Sequence, residues 1–561
     1  MRFFFIILFL LPLISFSQTK DYKTYDKASS YFQAGKLEKS KKLSLRLIQD
    51  NSDWDYPHLL LASIYEEQGE IDLSVNHLLN VYLKDNPNYT NGIEKIAKLF
   101  YNNGRYSKSI YYFEKLLEID STFLAKDISL SEFKNIYGNP VYKLSVDKIL
   151  QNCNFAIKAI EEPVSFDSYN MGENINSSFA EYLPAISVNN KLFFITRRLE
   201  YEDGYSNEEF FISKRDNDGN WSGAFRLNAP INTSGNEGAI SLSANGMLLV
   251  FTACERRNGY GDCDLYFSYK FEDWSNPVNI GENINSKKSD KQPSLSPDGK
   301  YLYFVSNRKG GYGGLDIWKT EITYTKNGKI RFMKPVNLGP TINTRYDEMS
   351  PFIHTDNLTL YFASNGHVGM GNYDLLLSRR VTSQSNWCNP INLGYPINTY
   401  RTENSLIVAS DGNTAYYASD KSGFGKEDIF QFDLPKNLQA EPLVDLEMDI
   451  ITNKAGEEVI LKNVSFASNS YALEESSFAE LNKLITYLQK NPNFQIEIQG
   501  HTDNVGNETD NQILSQQRAK VVFEYISAKV ENKLTYKGFG ESQPLGEDRM
   551  RNRRTSFVII D

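Results

Sequence analysis

Histidine and cysteine are scarce in this chain, with five and four residues among 561. The histidines, at 58, 77, 354, 367 and 501, are scattered, and none stands beside a serine or cysteine that it could activate. No Cys/His group has the spacing of zinc ligands, so no metal or other cofactor is expected and enzymatic activity is disfavoured. Basic residues are outnumbered, 60 Lys and Arg against 70 Asp and Glu. A net charge of −10 argues against nucleic acid, whose phosphates demand clustered cations, and the run Arg549 to Arg554 is too short to change that. Beyond the N-terminus there is no long apolar run, so no helix is expected to span a membrane.

The apolar stretch Phe3 to Leu13 follows Arg2 and precedes the small residues Ser15 and Ser17. About a dozen apolar residues cannot cross a bilayer core of about 30 Å, so residues 1–17 read as a secretion signal cut ahead of Gln18. No cysteine follows the stretch, so lipid attachment is not expected, and the mature chain is expected outside the cytoplasm. Four cysteines suit an oxidising compartment without making a disulfide scaffold. Cys254 and Cys263 flank a plausible hairpin tip and could bridge across it, which leaves Cys153 and Cys388 as the other candidate pair.

At 561 residues several domains are expected. From Tyr25 to about Phe123 the period is helical. Ala28 and Gly35 return as Ala62 and Gly69, then as Ala97 and Gly104, with Phe32, Tyr65 and Tyr101 beside them. Small residues at a helix approach and glycine at the turn, with a period near 34, resemble tetratricopeptide repeats (TPR) over 18–127. Such a resemblance implies an all-α array that binds partner proteins. Residues 128–163 read as a linker with a helical segment.

Between about Val164 and Leu434 the period falls to two. Ile-Asn tags recur at Ile175-Asn176, Ile231-Asn232, Ile284-Asn285, Ile342-Asn343 and Ile397-Asn398, at intervals of 53 to 58 residues. Each is followed by a strand, a turn, and a glycine hairpin leading into an aspartate and an apolar strand. Gly311-Tyr-Gly-Gly-Leu-Asp-Ile-Trp318 is the clearest copy, and Glu209 replaces the aspartate in the weakest. Units of about four strands must stack on neighbours, which points to an all-β propeller, and these resemble the WD40-like repeats of TolB-type propellers. Five blades are expected, the last completed by residues near Val164 to Asn176; six if one blade is degenerate. The glycines and aspartates are read as turn chemistry, not as a metal site.

A polar linker is expected over 435–457, then an α+β domain over 458–561. Its strands are placed at Val459–Phe466, Phe494–Gln499, Lys533–Lys537 and Thr555–Ile560. Its helices are placed at Glu474–Lys490 and about Glu508–Val530. Asp503 looks exposed in a turn between Gly500 and Gly506. Arg518 shares an apparently buried stripe with Leu514, Val521, Val522, Tyr525 and Ile526. A buried guanidinium needs an anion, and Asp503 is the natural partner. The residues alone leave a structural ion pair and a binding site equally open.

Asn463 to Phe466, Leu473, Gly500 to Asp503, Asn511, Leu514-Ser515, Arg518-Ala519, Gly538 to Gly540, Pro544 and Asn552 to Arg554 resemble the OmpA C-terminal-like family. That resemblance implies peptidoglycan binding through diaminopimelate, with Asp503 on its ammonium, Arg518 on its carboxylate and Asn511 lining the pocket. Leu514 and Arg553 are weaker candidates. The whole domain order is similar to PorE-like proteins of Bacteroidetes. It implies a periplasmic, outer-membrane-associated anchor linking a type IX secretion or gliding assembly, through a PorP/SprF-like protein, to the wall. Two departures stand out: no lipobox cysteine, and no carboxypeptidase-regulatory-like domain. The alternative is a ligand-sensing propeller that the last domain merely localises to the wall.

Overall fold

The computed structural model describes residues 16–560 apart from 85, 87, 131–142, 202–203, 326–328, 381–384, 421–422, 441–455, 462–463, 467–469, 475–476 and 547–548. Residues 1–15 of the expected secretion signal, most of the expected linker over 435–457 and Asn463 therefore lie outside the described residues. The chain divides into two compact units. One holds the chain up to Glu162 with Val368–Asn372 and Thr399–Arg401; the other holds Pro163–His367, Tyr373–Asn398 and Thr402 onward. No described helix is long and apolar enough to cross a membrane.

The first unit contains three helical hairpins, α1 (Phe16–Gln33) with α2 (Leu37–Asp50), α3 (Asp55–Glu67) with α4 (Ile71–Tyr82), and α5 (Thr90–Asn102) with α6 (Tyr106–Ile119). Each turns on a glycine, Gly35, Gly69 or Gly104, at φ of +69°, +75° and +68°, a region glycine enters at no steric cost. Ala28, Ala62 and Ala97 are buried where the paired helices meet. A serine on the second helix completes that approach: Ser40 Oγ donates to the Ala28 carbonyl at 2.8 Å and Ser109 Oγ to that of Ala97 at 3.0 Å. With the buried Ser74 these serines carry the same period, a signal the expectation missed.

Helix α7 (Val146–Glu161), capped by Ser145, was expected within a linker. It instead buries Val146, Ile149, Cys153 and Ala156 and packs on α6, so this stretch is part of the helical unit's core. Cys153 and Cys388 are both free thiols, which removes them as a pair, and burial pushes the Cys153 thiol up to about 12. Cys254 and Cys263 lie directly opposite each other on adjacent strands and are joined as a disulfide.

In the second unit Tyr169 to Asp433 forms five antiparallel sheets, four of four strands and the third of five. Their first strands are β1 (Ala180–Ile186), β2 (Asn236–Leu242), β3 (Asp290–Leu295), β4 (Glu348–Ile353) and β5 (Asn404–Val408). Each first strand packs on the next, and β5 packs on β1. The last sheet takes its fourth strand, Tyr169–Asn170, from ahead of the first sheet.

The Ile-Asn tags have a direct physical cause. Asn343 Oδ1 accepts from the Ile317 N–H at 2.8 Å while its Nδ2 donates to the Ile317 carbonyl at 2.9 Å. The side-chain amide thus supplies the acceptor that the strand N–H would otherwise lack, and adds a second donor to a carbonyl already bonded by the Leu338 N–H. Asn176, Asn232, Asn285 and Asn398 do the same for Ile429, Phe210, Leu265 and Leu375. The isoleucine before each is buried. The hairpin aspartates are internal as well: Asp316 accepts from the Tyr312 and Gly313 N–H groups, and Asp264 and Asp428 repeat the pattern.

The last domain has a four-stranded mixed sheet in the order β6 (Glu458–Ile460), β9 (Thr555–Ile560), β7 (Gln495–Gly500), β8 (Leu534–Gly538). Strand β6 is much shorter than the expected Val459–Phe466. Helix α8 (Ser477–Lys490) buries Leu481, Leu484, Ile485 and Leu488 in the core. Helix α9 (Glu508–Ser527) is the crossover between parallel strands β7 and β8 and packs on both. Two glycines permit that packing. A Cβ on Gly500 would come within 2.3 Å of the Ser515 carbonyl oxygen, and one on Gly538 within 2.3 Å of the Gln516 nitrogen.

Candidate functional site at the ends of the parallel strands

The candidate residues cluster where the two parallel strands end and the crossover helix begins. Here β7 runs out at Gly500 and leads through His501, Thr502 and Asp503 to α9, while β8 runs out at Gly538 and leads to Glu541. The two exits are fastened together. Phe539 N–H donates to the Gly500 carbonyl at 2.9 Å, Thr502 N–H to that of Gly540 at 2.9 Å, and Gly540 N–H to Ser515 Oγ at 2.8 Å.

Asp503 is buried, 7% exposed, which corrects the expectation of an exposed aspartate. Its burial is compensated: Oδ1 accepts from the Val505 N–H at 3.1 Å, and Oδ2 pairs with Arg553 Nη1 at 3.0 Å. The cation on Asp503 is therefore Arg553, fifty residues away, and among the described residues no ion pair joins Asp503 to Arg518. Asn511 lies on the first turn of α9, a helix capped by Asn507. Its Nδ2 reaches the Asp503 carbonyl at 3.2 Å, the Val505 carbonyl at 3.3 Å and Glu541 Oε2 at 2.7 Å.

Arg518 sits at the edge of the buried stripe and not on it. The buried residues of α9 are Asn511, Ser515, Ala519, Val522 and Ile526, while Leu514, Arg518, Val521 and Tyr525 are half-buried. Arg518 Nε donates to the Ser470 carbonyl at 3.0 Å, and the guanidinium lies over the Phe466 ring, 5.0 Å from its centroid. Burial first, then repulsion from Arg553, lowers its pKa, and attraction from Asp503 partly offsets both. No described carboxylate bonds it. Thus the expected residues Asp503, Asn511 and Arg553 are brought into contact, Arg518 stands within their electrostatic reach, and Leu514 lies one turn before Arg518 on the same helix. Glu541 was missed, although Gly538-Phe-Gly540 announces the turn that presents it.

His501 is neutral at neutral pH. Its ring stacks on Phe539 with centroids 5.3 Å apart, and its pKa falls to about 4 because it is buried and faces Arg554, with Glu458 opposing. Arg554, buried beside the exposed Arg553, holds Glu458 through two bonds of 2.6 and 3.0 Å, a pair that ties β6 to β9. Among the described residues no three His, Cys, Asp or Glu side chains gather as they would around a metal ion.

The OmpA family model matches residues 465–556, which include Asp503, Asn511, Leu514, Arg518, Glu541 and Arg553. The peptidoglycan-binding protein ArfA of Mycobacterium tuberculosis is 31% identical over 103 residues, covering 17% of this chain and 32% of its own. Outer membrane porin F of Pseudomonas aeruginosa is 32% identical over 105 residues, covering 17% and 30%. The chain thus spans about a third of the length of these curated relatives. A crystal structure of the peptidoglycan-associated lipoprotein from Burkholderia pseudomallei is 29% identical, covers 19% of this chain and 92% of its own, and has a TM-score of 0.16. The family resemblance therefore lies in the C-terminal domain, whose relatives include a peptidoglycan-binding protein.

Proposed function

We propose that the chain is a non-catalytic tether that holds peptidoglycan through its C-terminal domain and an envelope protein assembly through the rest. The observation that carries this reading is Arg518: a half-buried guanidinium with no carboxylate of its own among the described residues, beside an aspartate held by backbone and by Arg553. A diaminopimelate residue offers what is missing. Its carboxylate would pair with Arg518 and its ammonium with Asp503, with Asn511 lining the pocket and Leu514 and Arg553 at its margin. Such charge-assisted bonds contribute about 1.5–3 kcal/mol each, so one site binds modestly and repeated sites along the polymer add avidity.

In this reading the three helical hairpins form a TPR array and the five sheets a closed five-bladed propeller. Support for closure comes from the packing of β5 on β1 and from the strand Tyr169–Asn170 completing the last sheet. Both regions would grip protein partners, with a type IX secretion or gliding assembly and a PorP/SprF-like protein as the leading candidates. The location would be the periplasm, beside the outer membrane and wall. The cavity lined by β1 to β5 is about 80 Å³, room for a few waters, which weighs against a ligand-sensing propeller. Pelleting with purified peptidoglycan tests the tether. The wild-type chain should sediment with it and Asp503→Ala/Arg518→Ala should stay in solution; sedimentation of both alike would refute the site.

A further inference from the structure

We propose that Glu541 is a positioning residue of this site: through Asn511 it fixes a hydrogen-bond acceptor for the ligand's ammonium beside Asp503. The inference rests on the peptidoglycan reading and sharpens it, because it says which end of a zwitterion Asn511 recognises.

The geometry begins with the Asn511 amide. Its Nδ2 has two hydrogens and three acceptors around it, the carbonyls of Asp503 and Val505 and the Glu541 carboxylate, the last closest at 2.7 Å. An oxygen in that place would face three oxygens and bond to none, so the network decides the orientation of the amide. The nitrogen is therefore consumed, and the side chain can offer a ligand only its Oδ1. That atom has no bonded partner among the described residues, and its neighbour Gly506 has no side chain to set against it. An acceptor suits an ammonium and repels a carboxylate. Asn511 therefore works with Asp503, and the carboxylate of the ligand is left to Arg518.

Glu541 makes this arrangement firm. A neutral carbonyl holds an amide N–H less strongly than a carboxylate does. Glu541 is itself held in place because the segment ahead of it is fastened to the β7 exit by the Phe539 and Thr502 backbone bonds and to α9 by Gly540 on Ser515. Among the described residues no cation pairs with Glu541, and the side-chain bond it makes is the one to Asn511. Without the carboxylate the amide keeps only the two longer bonds to the Asp503 and Val505 carbonyls, so its Oδ1 is held less firmly toward the ammonium.

The test uses the full chain and two soluble muropeptides, one with the free amino group of its diaminopimelate and one with that group acetylated. The wild-type chain should prefer the free amine. Glu541→Ala should bind the free form about tenfold more weakly, the loss of one charge-assisted bond's worth of order, and its preference over the acetylated form should shrink. Glu541→Gln, whose side-chain oxygen can still accept from Asn511, should recover most of both. Asn511→Ala should lose as much as Glu541→Ala, and the double variant no more than either, since both act through one contact. Unchanged affinity and preference in Glu541→Ala would overturn the inference, as would a Glu541→Gln variant as weak as Glu541→Ala. The underlying reading fails separately: then the wild-type chain binds neither muropeptide, or Asp503→Ala/Arg518→Ala binds as the wild type does.

Discussion

The sheet region and the C-terminal domain place arginines beside acids for different ends. In the first three sheets Arg197, Arg256 and Arg308 pair with the fully buried Glu181, Glu237 and Asp290. Each also donates to the carbonyl of a tag isoleucine, Ile175, Ile231 or Ile284. Each charge is met internally by a buried carboxylate, and the arrangement recurs over these three sheets. In the C-terminal domain Arg554 and Glu458 behave the same way, but Arg518 has a backbone carbonyl and an aromatic face where the others have a carboxylate. A residue type that is paired wherever it repeats is structural. A single copy with no carboxylate partner among the described residues is the one that the proposed reading assigns to a ligand.

The largest effect should come from breaking the unpaired side of that contrast. Asp503→Ala/Arg518→Ala should lower affinity for peptidoglycan fragments by about 100-fold or more, equivalent to two charge-assisted bonds, without moving the unfolding of the sheet region. Breaking the paired side should do the reverse. Asn343→Ala orphans the Ile317 N–H and takes one donor each from the Ile317 carbonyl, which keeps the Leu338 N–H, and from Asn337; it should destabilise the sheet region by about 1–3 kcal/mol in chemical denaturation while leaving pelleting intact.

The fourth sheet sharpens the comparison, because His367 stands where the first three have arginine. Its Nε2 donates to the Ile342 carbonyl at 2.8 Å, and Glu348 is left with Thr344 and Ser364 as partners. Burial pushes the Glu348 carboxyl up to about 7. A carboxyl whose folded pKa lies above its unfolded value of about 4.3 costs nothing below that value. It weakens the fold as pH climbs from there to about 7, and the loss is constant beyond. The sheet region should thus lose up to about 3 kcal/mol between pH 4.5 and 8, read as a shift in denaturation midpoint. His367→Arg should flatten the profile; an unaltered slope in that variant would show that the missing cation is not the cause.

Periodicity carried much of this fold in the sequence. The helical repeat, the tags, the completion of the last sheet by residues near Tyr169 and the helix and strand order of the C-terminal domain were all legible, because each rests on local turn chemistry or apolar spacing. What escaped depends on contacts between distant residues. Asp503 looked exposed because a turn between glycines usually is. Its charge is balanced by Arg553, and Gly500 is the last strand residue, kept small by the helix above it. Leu514 and Val522 flank Arg518 by four, a spacing that points it to the buried face. The face that packs runs instead through Asn511, Ser515 and Ala519, small or polar residues that an apolar count passes over. Cys153 and Cys388 could be paired only by elimination, and elimination is not geometry.

The central claim is that Arg518 waits for a ligand carboxylate. Affinity of the full chain for a muropeptide with a free diaminopimelate carboxylate, set against the same muropeptide amidated at that group, measures this most directly. The account predicts a preference of at least about tenfold for the free acid, abolished in Arg518→Ala. Equal affinity of the wild-type chain for the two forms would contradict it.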